Sequence, residues 1–405
     1  MSSVDSVLLV VPRWVRDGGV VAHIGASAQA LAARGTRVSI LAAKIEWDFV
    51  PTGAKIFCSP GLYNREAPLE ARIGEALELE PSLIHLNQLG DAGVVEFLRR
   101  RAPVVMSAHA FVACTSSVHY FKPGQECLRA HGPGCILNLP RCAHTRNPFS
   151  LPSLYALAGR ELSALLRADV AVSYSSAVDR HLAINGVARR RVVPYFPTVA
   201  PAVPSERAGG RRVVFAGRIV APKGVATLVR AAREVDGEFI VCGDGWQLPA
   251  MRRLAERLGV AERVHFAGWL DPGALAQEFA DAAIVAVPSL WPEPFGIIGI
   301  EGFAAGRPVV ASDTGGIGDW LEHQVSGLMV PAGDARALAL ALTELLDDPG
   351  RREEMGAAGK RRLQEHFTVE HHLAAITEAY AAARDTWSAG RGGQSPARTS
   401  MSAAR

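Results

Sequence analysis

The sequence predicts an α/β protein made of two doubly wound parallel-sheet domains, on three observations. Short apolar runs alternate with helical patterns along nearly the whole chain, and such alternation gives parallel sheets covered on both faces. The alternation breaks once, at Pro194, Pro197, Pro201 and Pro204 followed by Ser205-Glu206-Arg207-Ala208-Gly209-Gly210, and then starts afresh; a Pro/Gly break of this kind marks a domain boundary. The 405 residues suffice for two cores of domain size.

The first element is Val7-Leu8-Leu9-Val10-Val11, β-branched and ended by Pro12, as in a buried parallel strand. After Asp17-Gly18-Gly19, Val20, Ile24, Ala28 and Leu31 recur at helical spacing, and Arg34-Gly35 supplies a basic last turn and a glycine cap. Val38 to Leu41, Leu83 to Leu86 and Val104 to Ala108 are further strands, and a helix around Tyr155 to Leu166 leads into a strand over Asp169 to Tyr174. Beyond the break, strands are expected at Val213 to Ala216, Phe239 to Cys242, Val264 to Phe266, Ile284 to Val287, Val309 to Ala311 and Leu328 to Pro331. Helices fall within Gly224 to Arg233, over Leu248 to Leu258 and over Ala335 to Leu346 as the last domain helix. The segment Glu370 to Arg384 is helical and amphipathic, and Ser388 to Arg405, rich in Gly, Ser, Ala and Arg, reads as disordered. The expected organisation is residues 1–200, a linker over 201–211, a second domain over 212–368, a helix over 369–387 and a tail over 388–405.

Composition narrows the function classes. Lys+Arg is 43 against 40 Asp+Glu, a net charge of +3, too small an excess for a dedicated nucleic-acid binder. No apolar stretch reaches the roughly 18 residues of a membrane span. No basic residue precedes the first apolar run, so a secretory signal is not expected. Six cysteines cannot form a disulfide scaffold at this length. A cytoplasmic protein is expected.

The most informative segment runs from Pro288-Ser289-Leu290-Trp291-Pro292 through Glu293-Pro294-Phe295-Gly296-Ile297-Ile298-Gly299-Ile300-Glu301. It follows a strand, is extended by its prolines and opens a helix. If most of the spacing between Glu293 and Glu301 is helical, the carboxylates lie about 12 Å apart along the axis. That is too far to share a proton and suited to gripping two ends of an extended polar ligand. The amides of Phe295, Gly296 and Ile297 lie between them at a helix N-terminus, where anions and hydroxyls bind. Arg218 and Lys223 sit five residues apart in a strand-to-helix loop at the carboxyl edge of the second sheet, the edge at which open α/β sheets bind ligands. A guanidinium fork and an ammonium there suit a diphosphate.

These residues resemble a known family, the retaining nucleotide-sugar glycosyltransferases of family 4 (glycosyl transferases group 1). The resemblance rests on Glu293 to Glu301 as an E-x7-E signature. It is supported by Phe215-Ala216-Gly217-Arg218 with Pro222-Lys223-Gly224, by Val241-Cys242-Gly243-Asp244-Gly245, by Val309 to Gly316 and by Ser326-Gly327-Leu328. Gly18-Gly19 and His109 match the first half. The resemblance implies the GT-B architecture of two facing Rossmann-like domains. It also implies a final helix that crosses back onto the first domain.

By that resemblance, Glu301 holds the ribose hydroxyls of a nucleoside-diphosphate sugar, and Glu293 with the Phe295, Gly296 and Ile297 amides holds the donor hexose. Arg218 and Lys223 hold the diphosphate, Gly243 forms a turn near the nucleotide, and Gly18 and Gly19 face the transferred group from the other domain. His109, with Glu293, Arg218 and Lys223, is a candidate catalytic residue. Family members often carry His-Asp where this chain has His109-Ala110, so two readings stand: the site lacks an acidic partner, or Glu126 or Asp91 supplies one. No metal or other cofactor is implied for the chemistry.

Residues 111–150 form a Cys-rich insert with Cys114, Cys127, Cys135 and Cys142 interleaved with His119, His131 and His144. Three readings compete: a structural zinc site, free or packed thiols, and a disulfide pair. Its place after His109 suggests that it shapes the acceptor site.

The expected activity is transfer of a hexosyl unit from a nucleotide-sugar donor to a hydroxyl acceptor on a glycan, a lipid-linked saccharide or a small metabolite. The alternatives are a nucleotide-sugar epimerase of the same architecture and a catalytically silent sugar-nucleotide-binding subunit. A dehydrogenase is disfavoured because the end of the next strand, Val264-His265-Phe266-Ala267-Gly268, carries no acidic residue. No nucleic-acid partner is expected. Arg99-Arg100-Arg101 and Arg189-Arg190-Arg191 allow at most peripheral membrane contact, against the plainer reading of a solvated face.

Overall fold

The structure, a computed structural model, describes residues 4–392 apart from 17, 65, 69–70, 74–76, 89, 113, 115–125, 143–150 and 209. The first domain is built on strands β1 (Ser6–Trp14), β2 (Arg37–Ile45), β3 (Ala54–Cys58), β4 (Leu83–Asn87), β5 (Val104–Ala108), β6 (Val170–Ser173) and β7 (Arg190–Val192). They form one parallel sheet in the order β3-β2-β1-β4-β5-β6-β7. The second is built on β8 (Arg212–Ala216), β9 (Glu238–Cys242), β10 (Val264–Gly268), β11 (Ile284–Val287), β12 (Val309–Ser312) and β13 (Gly327–Val330), in the order β10-β9-β8-β11-β12-β13. In each sheet the strand order reverses beside the first strand, between β1 and β4 and between β8 and β11. That reversal leaves a crevice at the carboxyl ends, the place where such sheets take ligands.

The apolar runs become strands because both faces of each sheet are covered. All five residues of β4 and of β5 are buried, which is why these segments read as continuous hydrophobic runs rather than alternating ones. Strand β3, half-exposed at one sheet edge, and the three-residue β7 at the other carry no such run; the sequence did not announce them. Helix Pro349–His366 was also unexpected. It packs on helix Ile297–Ala304, so helix Ala335–Asp347 is not the last of its domain. Residues Pro133–Cys142 of the insert are helical too.

The final helix, Val369–Gly392, returns to the first domain and packs on β5, β6, β7 and the first helix, Gly19–Ala33. It buries Leu373, Ile376, Ala379, Tyr380 and Ala383. It runs five residues past the expected end at 387, so the start of the disordered tail at 388 is corrected; residues 393–405 lie outside the described residues. Trp387, one turn before the end, donates its indole N–H to the Arg99 carbonyl at 2.5 Å and anchors the helix there.

The segment between the domains is not a loose tether. The Pro194 carbonyl accepts a hydrogen bond from His372 Nδ1 at 2.8 Å, and Ser205 donates its amide and hydroxyl to the fully buried Asp281 at 2.7 and 2.8 Å. The arginine runs are tied inward as well. Arg99 pairs with buried Asp169 and Arg190 pairs with Asp179.

Candidate active site

Both switch points open into one cleft of about 1250 Å³ between the domains. Pockets for one small ligand run to roughly 300–1,000 Å³, so this cleft is larger than a single small ligand requires. Gly18, Gly19 and His109 line it from the first domain. Arg218, Lys223, Gly243, Glu293, Phe295, Gly296, Ile297 and Glu301 line it from the second. A Cβ placed on Gly19 would sit 3.4 Å from the Ile297 side chain, so the two walls meet there.

The loop from β11 to helix Ile297–Ala304 is fixed by bonds that the extended, proline-rich sequence leaves available. The Leu290 amide donates to the Pro222 carbonyl at 2.8 Å, the Gly316 amide to the Glu293 carbonyl at 2.7 Å, and the Trp320 indole to the Phe295 carbonyl at 2.6 Å. Gly296, at φ +87°, supplies the left-handed turn into the helix. The helix begins only at Ile297, so half the spacing between Glu293 and Glu301 is loop, and the expectation of a mostly helical spacing is corrected. As the first helical residues, Ile297 and Ile298 have no intrahelical acceptor for their amides.

Glu293 is 3% exposed and fully partnered. Its Oε1 is paired with Lys223 Nζ and its Oε2 accepts the Trp291 indole N–H. The Lys223 ammonium also lies 5.5 Å from the Trp291 ring centre. A buried carboxylate needs such partners, and here they make Glu293, Lys223 and Trp291 a single preformed unit. Arg218 is exposed, and no carboxylate pairs with it among the described residues. It is the cation available for an anionic ligand at this edge. Gly243 (φ +133°) packs directly on Gly217, whose carbonyl a Cβ would approach to 2.0 Å. Glycine is therefore required where the β8 and β9 loops meet.

Glu301 is partly buried and holds the linker. It accepts the Thr198 hydroxyl at 3.1 Å and the backbone amides of Thr198 and Val199. Burial pushes its carboxyl above the usual range, and these hydrogen bonds oppose the shift.

His109 borders the cleft but offers it no free nitrogen. Its Nε2 donates to the Asn87 side-chain carbonyl at 2.8 Å, its Nδ1 accepts from the Tyr195 hydroxyl at 2.8 Å, and its ring stacks on Tyr174 at 4.5 Å. Burial, with lesser contributions from His85 and His372, brings its pKa down to about 3. The expected acidic partners are elsewhere. Asp91 caps helix Ala92–Arg99 and pairs with Arg72, and Glu126 pairs with Arg180. The expectation of Glu126 or Asp91 beside His109 is corrected.

Asn87, Tyr195, Thr198 and Trp291 also line the cleft and were missed. Asn87 ends β4 as His109 follows β5, a position that could have flagged it. Thr198 and Tyr195 lie in the proline-rich segment, where no periodicity points to them.

In the insert, Cys127 and Cys135 are free thiols. No group of three metal-ligating side chains converges among the described residues. His119, His144 and the Cys142 side chain lie outside the described residues. No helix among the described residues is long and apolar enough to cross a membrane.

Residues 200–362 match the family model "Glycosyl transferases group 1". The chain is 36% identical over 196 residues to the lipopolysaccharide core biosynthesis glycosyltransferase LpsD of Rhizobium meliloti, covering 47% of this chain and 55% of that protein. It spans about half the length of the curated relatives it matches. Among solved structures, it is similar to sucrose-phosphate synthase from Thermosynechococcus elongatus (TM-score 0.72, 22% identity, 93% of this chain and 98% of that one). It is also similar to Anabaena HepE in complex with UDP and glucose (TM-score 0.68, 18% identity, 93% and 99%). Two parallel-sheet domains facing across one cleft, with this likeness over nearly the whole chain, make the fold GT-B, and its second domain carries the group 1 glycosyl transferase pattern.

Proposed function

We propose that the protein is a retaining glycosyltransferase of family 4 that moves a hexosyl unit from a nucleoside-diphosphate sugar to a hydroxyl acceptor in the cytoplasm. One observation carries the reading. An unpaired guanidinium (Arg218), the Lys223–Glu293–Trp291 unit, a helix N-terminus at Ile297 and the carboxylate of Glu301 all line one wall of the cleft between the domains. The matched pattern over residues 200–362 covers this wall, and HepE was solved with UDP and glucose; both support a nucleotide-sugar donor.

In this reading Glu301 exchanges its Thr198 hydroxyl for ribose hydroxyls. Arg218 grips the diphosphate as a fork, and Lys223 reaches it while still bonded to Glu293. Glu293 and the amides of Phe295, Gly296 and Ile297 hold the hexose. As the bond from C1 to the phosphate oxygen breaks, charge grows on the leaving diphosphate and is met by fixed cations and amides. The acceptor oxygen bonds to C1 on the same face, and its proton passes to the departing phosphate oxygen. The two cations supply the charge that chemistry of this kind requires, and no metal is assigned to it. His109, neutral and doubly bonded, is a positioning residue that fixes Asn87 and Tyr195 at the cleft wall.

A screen of UDP- and GDP-sugars with hydroxyl acceptors, following nucleotide release, tests the reading. Acceptor-dependent release is expected. Turnover of the sugar nucleotide without acceptor would assign an epimerase, and tight nucleotide binding without turnover a silent subunit.

A further inference from the structure

The cleft continues past the groups assigned to the donor, along the first helix to the loop after β2. Trp47 and Phe49 line this outer end, together with Arg16, Gln29 and Asp48. We infer that this is an acceptor subsite for a pyranose ring, with Trp47 and Phe49 as its stacking platform. The inference rests on the glycosyltransferase reading and adds the class of acceptor: a saccharide in place of a lipid alcohol or an acyclic metabolite.

The platform is built and held. Trp14, Trp47 and Phe49 form a ladder, with ring centres 5.7 Å apart at 24° and then 4.8 Å apart at 31°. The Glu46 and Trp47 amides both donate to the Trp14 carbonyl, at 2.8 and 3.1 Å, and the Trp14 indole donates to the Phe49 carbonyl at 2.8 Å. Gly25 of the first helix makes room beneath: a Cβ there would come within 3.3 Å of both the Phe49 and Trp14 rings. Trp14 is wholly buried, while Phe49 is 38% exposed and Trp47 half-buried. The inner rung, Trp14, thus belongs to the core, and Trp47 and Phe49 line the cleft.

An aromatic face meets the C–H face of a pyranose, and planar polar side chains around it meet the equatorial hydroxyls. Asp48, Gln29 and Arg16 are a carboxylate, an amide and a guanidinium, the types suited to bidentate hydroxyl recognition. Asp48 and Arg16 are exposed. An apolar chain would leave these three without partners and would gain little from such mixed surroundings.

The test uses the full chain with UDP or GDP present and methyl α-glucoside, methyl α-galactoside and methyl α-mannoside as probes. Binding is read by saturation-transfer NMR, with myo-inositol and octanol as comparisons. At least one pyranoside is expected to bind with transfer concentrated on its C–H face. Trp47→Ala is expected to weaken it at least tenfold, and Trp47→Phe to restore most of the loss. Phe49→Ala, which removes the ring packed on Trp47, should weaken it severalfold. Nucleotide affinity reports that each variant is folded. Pyranoside binding that survives Trp47→Ala and Phe49→Ala unchanged would overturn the subsite, as would preference for octanol or no pyranoside binding at all. Because this readout needs no turnover, it can fail while the donor screen succeeds, and the reverse.

Discussion

Asp319 of the second domain holds the first turn of a helix of the first, whose own cap is Ser175. Its Oδ2 accepts the Ser176 amide at 2.6 Å and its Oδ1 accepts the Ser176 hydroxyl at 2.5 Å, at the start of helix Ser176–Ile184. Three residues earlier, the Gly316 amide donates to the Glu293 carbonyl. One short turn therefore seats the Glu293 loop and fastens the opposite domain. Asp319→Ala should cost about 1 kcal/mol, as for loss of a typical hydrogen bond, measured by urea unfolding. It should also enlarge the radius of gyration of the nucleotide-free protein in small-angle scattering. No change in either would show that the bond does not hold the domains together.

The two glutamates of the donor wall should separate by phenotype. Glu301 is bonded through hydroxyl and amide donors, and hydrogen bonds to a charged group contribute roughly 1.5–3 kcal/mol. Glu301→Ala should therefore weaken UDP or GDP binding about tenfold or more in calorimetry. Glu293→Gln should mainly lower kcat, because it removes the charge that pairs with Lys223 in the cleft. Equal losses of bare nucleotide affinity in both variants would remove the assignment.

Stability should fall as pH drops below about 6.5. His23, His85, His109 and His372 are buried against one another beneath the final helix and its neighbours, and burial holds each below the ordinary value. His85 and His109 are brought to about 3 and His372 to about 4. The unfolded chain binds protons on these groups from about 6.5 downward while the folded chain does not, so unfolding gains with acid. Each histidine adds a slope of roughly 1 kcal/mol per pH unit over that window. Thermal unfolding at pH 7.5, 6 and 5 would check it. A melting temperature that holds steady from pH 7.5 to 5 would refute it.

A chain ending at Thr368 should lose both stability and transfer, whereas one ending at Gly392 should keep both. The difference is the apolar face of the final helix. Leu373, Ile376 and Tyr380 are 3%, 2% and 2% exposed, and full burial of such side chains contributes about 2 kcal/mol each. Tyr380 also bonds His85 at 2.9 Å. Circular dichroism melts and an activity assay on the two chains would decide the matter.

What the sequence disclosed follows from what kind of signal each feature leaves. The buried strands and the Glu293–Glu301 loop were legible, because continuous apolar runs and a proline-glycine pattern before a helix are local. β3 and β7 were not, since edge strands need only one paired side and little hydrophobicity. His109 follows β5 and lines the cleft. Its partners were misjudged because Tyr195 lies 86 residues away and Asn87 22 away, and no local pattern links them. The same holds for Ser176 and Asp319, which are 143 residues apart.

The double passage between domains also sets the order in which the chain can be completed during synthesis. The face of the first sheet that carries His85, Ser107 and Tyr174 is closed by Tyr380 and its neighbours on the final helix. Those residues leave the ribosome only after the whole second domain has been made. At about 5–20 residues per second, a sheet face with buried polar groups to satisfy waits tens of seconds for its cover. Expression yield should therefore depend on chaperone supply more than the stability of the finished protein suggests, and a chain stalled in the second domain would carry that open face into aggregation.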